Sequence, residues 1–315
     1  MPTTSSRLSN PVLASLLASL CAILWGSAYP SIKLGYELFA VGFDDTPAKL
    51  AFAGLRFAFA GLLVLMFRAF QKGEKQSIRS LGGSAWLQVL LLALMQTTIH
   101  YYFFYVGVSY TTGAKSSILN ASSVFFSAIL SHLVYANDHI SVRKGVGIFI
   151  GFLSVVLVNL QSGFGFSFSV QGEGFVLIAA FLTSLSALFS KRTSRRIDPV
   201  LLTALQLFLG GTILLVLALL GGASFPCSSV WGYLLLFYMA GLSAVAFSLW
   251  TSLLKHNKVS SITVFNFLIP VVGTLLSALI LGESILRFQY LIALLLVVSG
   301  IVLVTYSSPK IQLHH

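Results

Sequence analysis

Ten apolar stretches, each nearly free of charge, follow one another along this chain with only short loops between them. About 20 apolar residues is the helical length that crosses a bilayer, so their number and spacing constrain the fold more than any motif. The stretches are Pro11 to Leu34, Leu50 to Phe67, Trp86 to Val108, Ser116 to Tyr135, Gly145 to Leu160, Gly174 to Leu188, Pro199 to Leu220, Trp231 to Leu254, Ser261 to Leu281 and Phe288 to Tyr306. The loops leave no room for an inserted soluble domain, so the work of the protein is expected inside the bilayer.

Composition agrees. With 57% hydrophobic and 9% charged residues and a mean hydropathy of +0.93, the chain lies outside the range of soluble domains. Strands alternating in the manner of an outer-membrane barrel are missing from the pattern. The expected fold class is an all-α integral membrane protein with ten transmembrane helices.

A net charge of +11 would suggest nucleic acid in a soluble protein, but here the cations sit in the short loops, where they direct insertion. With a cytoplasmic N-terminus, that side collects Arg7, Arg68, Lys72, Lys75, Arg79, Arg143, Lys144, Lys191, Arg192, Arg195, Arg196, Lys255, Lys258 and Lys310. The other side holds Lys33, Lys49, Lys115 and Arg287, and Arg56 falls within a stretch. Both termini are therefore expected in the cytoplasm, with the protein in the cytoplasmic (plasma) membrane. The first stretch is too long for the core of a signal peptide and no clear cleavage site follows it, so it is expected to be retained. Cys21 and Cys227 lack any partner at metal-ligand spacing, and no metal or other cofactor is expected.

The two halves echo one another. Trp86 with Tyr105 has the spacing of Trp231 with Trp250, and Asn137-Asp138 matches Gly282-Glu283 at the same offset. Five helices is an odd number, so a second five-helix repeat must insert upside down relative to the first. Residues 1–160 and 161–315 are the expected repeats, an arrangement typical of secondary transporters with a site near the midplane.

The residues carry a family resemblance as well. The first stretch reads AILWGSAYPSIK, the second LRFAFAGLLVL, the third-to-fourth junction FYVGVSYTTGAKSSIL, the ninth FNFLIPVVGTLLSALILGESI, and the tenth ends in VVSGIVLV. In this order the motifs resemble the EamA-like branch of the drug/metabolite transporter superfamily over nearly the whole chain. The resemblance implies a central cavity walled by helices 1, 3, 4, 6, 8 and 9. It also implies secondary active or facilitative transport of a small organic metabolite, such as an amino acid or related compound, more often exported than imported. One departure is Phe125, where the first repeat often has a proline equivalent to Pro270; a bend in helix 4 like that expected in helix 9 is in question.

Candidate binding residues follow from polar groups that hydrocarbon would penalise. In the fourth stretch Ser116, Asn120, Ser123, Ser127 and Ser131 share one helical face. Thr263, Asn266, Pro270, Gly273 and Ser277 form a second such stripe in the ninth. Cavity lining competes with plain helix packing for both asparagines. Lys115, at the outer start of the fourth stretch, could receive an anionic group or snorkel to the interface. Arg56 binds substrate or ties helices together. His100 could relay protons, while Tyr101, Tyr102 and Tyr105 beside it read equally as an interfacial aromatic belt. Tyr29 with Pro30 marks an expected irregular turn in helix 1, and Trp25 and Trp250 are candidates for the cavity wall.

Every carboxylate falls in a loop or at a helix end, so no embedded acid stands out as a proton carrier. HExxH, paired helix-core carboxylates and a convincing Ser-His arrangement are all lacking, which disfavours a lipid-modifying or other membrane enzyme, and no catalytic residue is expected. Efflux of drugs or other xenobiotics is the alternative within transport. The expected partners are a small-molecule substrate and the lipid bilayer, with no nucleic acid; Gly147 and Gly151 allow close contact of a peripheral helix, serving a homodimer or the scaffold.

Overall fold

The computed structural model describes residues 7–42, 44–70, 76–110, 119–159, 168–224, 229–281 and 288–305. These residues form ten long helical runs. α1 is Pro11–Leu38 and α2 is Thr46–Phe70. α3 runs from Gly83–Ala93 through a π turn, Leu94–Ile99, into His100–Ser109. α4 is Ser123–Val134, preceded by one turn from Leu119, and α5 is Val142–Asn159. α6 opens with a π turn, Val170–Gly174, and continues as Phe175–Thr193. α7 is Pro199–Leu220 and α8 is Val230–His256. α9 comprises Val259–Thr263, a 3-10 turn Val264–Phe267 and Leu268–Leu281, and α10 is Phe288–Thr305.

Local chemistry explains where several of these start. The Asn10 side chain accepts from the Val12 and Leu13 N–H groups at 3.0 and 3.2 Å, with Pro11 in the first turn. Asp198 and Pro199 repeat that combination at α7, where Asp198 accepts from Leu201 N at 2.9 Å. α1 passes through Pro30 without a break, so the irregular turn expected at Tyr29–Pro30 does not form. Membrane helices tolerate proline where neighbouring helices and hydroxyls re-satisfy the backbone.

Six runs are long and apolar enough to cross a membrane: α1, α2, Gly83–Val108 of α3, Val170–Thr193 of α6, α7 and α8. Large apolar side chains such as Leu16, Phe59, Met66, Leu220 and Phe237 are exposed on their outer faces. A soluble protein would not leave so many uncovered, whereas lipid accommodates them.

Inside, small residues bring backbones together. A Cβ on Gly61 would lie 2.4 Å from Phe208 N, and one on Gly211 would lie 2.3 Å from Ala58 N, so α2 and α7 meet almost backbone to backbone. α5 and α10 are joined in the same way through Gly147 and Gly300. Several further contacts come in matching pairs. α1 packs on α8 and α9, while α6 packs on α3 and α4; α2 meets α8 as α7 meets α3.

Candidate functional site

A cavity of about 380 Å³ lies among seven helices. Trp25, Ala28, Ile32, Lys33 and Tyr36 come from the second half of α1, and Arg56 from the middle of α2. Gln96, His100, Tyr101, Phe104, Tyr105 and Val108 come from α3; Asn120, Ala121 and Ser123 from the start of α4. Thr183 and Ala187 of α6, Phe247 and Trp250 of α8, and Asn266, Ile269 and Pro270 of α9 complete the wall. The volume is at the small end of metabolite pockets.

Both asparagines sit beside irregular backbone. The break in α4 falls at Ser122, two residues after Asn120, and Asn266 lies within the 3-10 turn of α9. α4 is therefore irregular although Phe125 stands where a proline was expected. The stripe on α4 divides: Asn120 and Ser123 line the cavity, but Ser127 and Ser131 are fully buried. There α4 packs on α6, and Ser184 Oγ donates to the Ser123 carbonyl at 2.7 Å. The stripe is half wall and half helix contact. On α9, Thr263 Oγ1 bonds back to the Val259 carbonyl at 3.0 Å, and Gly273 packs against Gly26 of α1.

Of the other expected residues, Trp25, Arg56, His100, Tyr101 and Trp250 all reach the cavity. Lys115, Ser116, Cys227 and the side chains of Tyr29 and Ser277 lie outside the described residues. Tyr36, Gln96, Thr183 and Phe247 are wall residues that the sequence reading did not single out. Trp25, Ala28, Ile32 and Tyr36 follow helical spacing, so extending the face of Trp25 along α1 would have found Tyr36. Gln96 lies in the π turn, whose wider winding no residue spacing announces.

The wall is aromatic with a few polar points. Trp25 meets Trp250 and Phe247 edge to face at 4.9 and 5.2 Å, and His100 stacks on Tyr101 at 4.6 Å. Among the described residues, Trp25 Nε1, Tyr36 Oη, Gln96 Oε1, His100 Nε2 and Asn266 Oδ1 are buried without a hydrogen-bond partner. Buried polar groups are normally paired; these five sit on the cavity wall, while others, mostly serine and threonine hydroxyls such as Ser127, Ser186 and Ser190, lie in helix contacts away from it.

Arg56 is the charged element. It is 2% exposed, its Nε donates to Ser243 Oγ at 2.9 Å, and Ser243 donates in turn to the Met239 carbonyl at 2.8 Å. Tyr105 lies close enough to feel the guanidinium's charge, and the guanidinium carbon lies 4.9 Å from the Phe57 ring. Among the described residues no Asp or Glu lines the cavity, and none is ion-paired with Arg56. A cation at the centre of a membrane helix costs at least about 2.5 kcal/mol.

The opposite end of the bundle is tied together by satisfied charges. Asp138, between α4 and α5, is 1% exposed and accepts from Lys144 Nζ at 2.6 Å and from Ser260 N, in the first turn of α9, at 3.0 Å. Ser260 Oγ also donates to Asp138 and accepts from Lys144 Nζ at 2.9 Å. Burial pushes the Asp138 carboxyl up, but the bonds from Lys144 and Ser260 outweigh it and hold the group below its ordinary value of 3.8. Nearby, Lys191 Nζ donates to the Asn257 carbonyl and lies 5.0 Å over the Tyr135 ring, while Asn257 Nδ2 donates to the Leu8 carbonyl at 3.0 Å. Arg68 pairs with Asp198, and its Nη2 donates to the Gln76 carbonyl at 2.7 Å.

A helical bundle with a lipid-facing exterior, one end laced by paired charges and a solute-sized cavity towards the other belongs to the class of polytopic membrane proteins that handle small solutes. The profile of the EamA-like transporter family matches residues 12–160 and again 170–306, so the chain belongs to that family and is a multi-pass membrane transporter. It is 28% identical over 305 residues to the uncharacterized transporter YvbV of Bacillus subtilis, covering 93% of this chain and 92% of that one. It is 26% identical over 302 residues to the uncharacterized inner membrane transporter YedA of Escherichia coli K12, covering 94% and 90%. A solved crystal structure superposes with a TM-score of 0.75 at 17% identity, over 92% of this chain and 95% of that one, which is a likeness of fold.

Proposed function

We propose that this protein moves a small organic metabolite, an amino acid or related compound, across the cytoplasmic membrane by alternating access, as an exporter rather than an importer. The observation that carries the reading is the cavity, whose wall draws on both halves of the chain and gathers polar atoms that the protein itself leaves unpartnered. In this reading ten transmembrane helices form two inverted repeats, residues 1–160 and 161–315. The matching helix contacts and the family's two successive matches support that division. The laced end, with Lys144, Lys191, Arg68 and their basic neighbours, is the cytoplasmic one, and both termini lie there.

Asn120 and Asn266 touch the substrate from the two halves, with Trp25, Tyr29, His100, Tyr101, Lys115, Ser123 and Trp250 around it. Rocking of the halves would loosen the laced end and close the far one, and the substrate must bind the two states unequally for the cycle to be coupled. A homodimer would use the outer faces of α5 and α10, because their glycines are occupied within the chain. The test is uptake and counterflow in proteoliposomes with metabolites that cells release on overexpression. Asn120→Ala with Asn266→Ala is expected to weaken affinity or rate at least tenfold. Unchanged kinetics would remove both asparagines from the site.

A further inference from the structure

We infer that Arg56 is the anchor for the charged group of the substrate, and that the cavity selects organic monoanions, a carboxylate on an apolar or aromatic body, over zwitterions and cations. The inference rests on the transport reading and narrows its substrate class from amino acids and related compounds to the related organic acids that lack the ammonium group.

The argument begins with donors. A guanidinium has five N–H donors in a planar fork. Ser243 engages Nε. Ser243 itself donates to the Met239 carbonyl, so this contact orients the group and supplies no negative charge. The remaining donors belong to a side chain that lines the cavity. Their geometry matches a carboxylate bidentately, and such a pair is shorter and stronger than a neutral hydrogen bond.

Charge then decides between ligand classes. Lys33 also reaches the wall but is exposed, so Arg56 is the buried cation there, and among the described residues no carboxylate lines the wall to balance it. A bound cation would meet Arg56 without compensation. A zwitterion would satisfy Arg56 but bring an ammonium group into a wall offering only neutral acceptors, such as Gln96 Oε1 and Asn266 Oδ1. A dianionic phosphate would carry a second charge that one buried guanidinium does not match. A monocarboxylate closes the account, and the edge-to-face ring cluster of Trp25, Trp250 and Phe247 receives its apolar body.

The test uses the purified full chain and a series of probes with one aromatic body and varied charge: 3-phenylpropionate, phenylalanine, phenethylamine and phenyl phosphate. Binding is read as a ligand-induced rise in melting temperature, and transport as counterflow of radiolabelled 3-phenylpropionate in proteoliposomes. The expected result is a rise with 3-phenylpropionate at millimolar concentration and none with phenethylamine. Phenylalanine and phenyl phosphate should bind at least tenfold more weakly. Arg56→Gln should abolish the rise and Arg56→Lys should weaken it, with Ser243→Ala intermediate. A preference for the amine, the zwitterion or the phosphate, or no response to the monocarboxylate, overturns the inference in wild-type protein, so the outcome stands even if Arg56→Gln fails to fold. Arg56-dependent binding of 3-phenylpropionate without counterflow would overturn the transport reading and leave the anion site. Counterflow of a zwitterion unaffected by Arg56→Gln would do the reverse.

Discussion

Two buried charge centres in this molecule are built in opposite ways. Lys144 meets Asp138 and Ser260, and Asp138 meets both in return, so every charge there has a hydrogen-bonded counterpart. Arg56 has the Ser243 hydroxyl, and no counter-ion among the described residues. The first arrangement joins the α4–α5 connection to α9 and serves the protein's own cohesion. The second keeps a charge unneutralised beside a cavity, which a structure does at a cost to its own stability. The contrast separates charges that hold the bundle from a charge that waits for a ligand.

Removing one partner of the satisfied centre should have the largest effect. Lys144→Met leaves Asp138 buried and unpaired, with an expected loss of about 3–5 kcal/mol, measured by thermal unfolding in detergent. The double variant Lys144→Met/Asp138→Asn should recover part of that loss; no recovery would mean that the two do not act as a pair. Ser260→Ala takes away one hydrogen bond to a charged group and should cost about 1.5–3 kcal/mol.

Acid should act on the same centre. Because the folded carboxyl of Asp138 lies below its ordinary 3.8, its contribution is fully present above that value and is lost as pH falls through the folded one. The stability difference between wild type and Asp138→Asn should therefore hold at neutral pH and shrink under acid conditions. A gap that persists well below 3.8 would break the account.

The smallest change in stability is expected at the other centre. Arg56→Met removes an uncompensated charge and leaves only the Ser243 hydroxyl one partner short, so unfolding should shift by no more than about 1 kcal/mol in either direction. A loss as large as that of Lys144→Met would show that Arg56 is a structural tie and would erase the comparison.

How much of this was legible beforehand follows from particular residues. Asn120, Asn266, Trp25 and Trp250 were found because polar or amphipathic groups on an apolar helix stand out against the penalty of hydrocarbon. Tyr36 was missed although its helical spacing from Trp25 was readable, and Gln96 was hidden by a π turn. Lys144, Lys191 and Arg68 were read as insertion signals. The fold buries them against Asp138, Asn257 and Asp198. Ser127 and Ser131 looked continuous with Asn120 and turned out to be packing.

By itself the sequence determined the class: helices and a bilayer, because bilayer thickness converts directly into a length of apolar chain, and the family through the order of its motifs. It also determined which face of each helix is polar, because helical periodicity is local. Only the tertiary structure decided which polar faces meet one another and which meet empty space. Asp138 and Ser260 are 122 residues apart, as are Gln76 and Asp198, and nothing local couples either pair. Whether a buried charge is satisfied or left open is a property of the assembled bundle, and that property distinguishes Lys144 from Arg56.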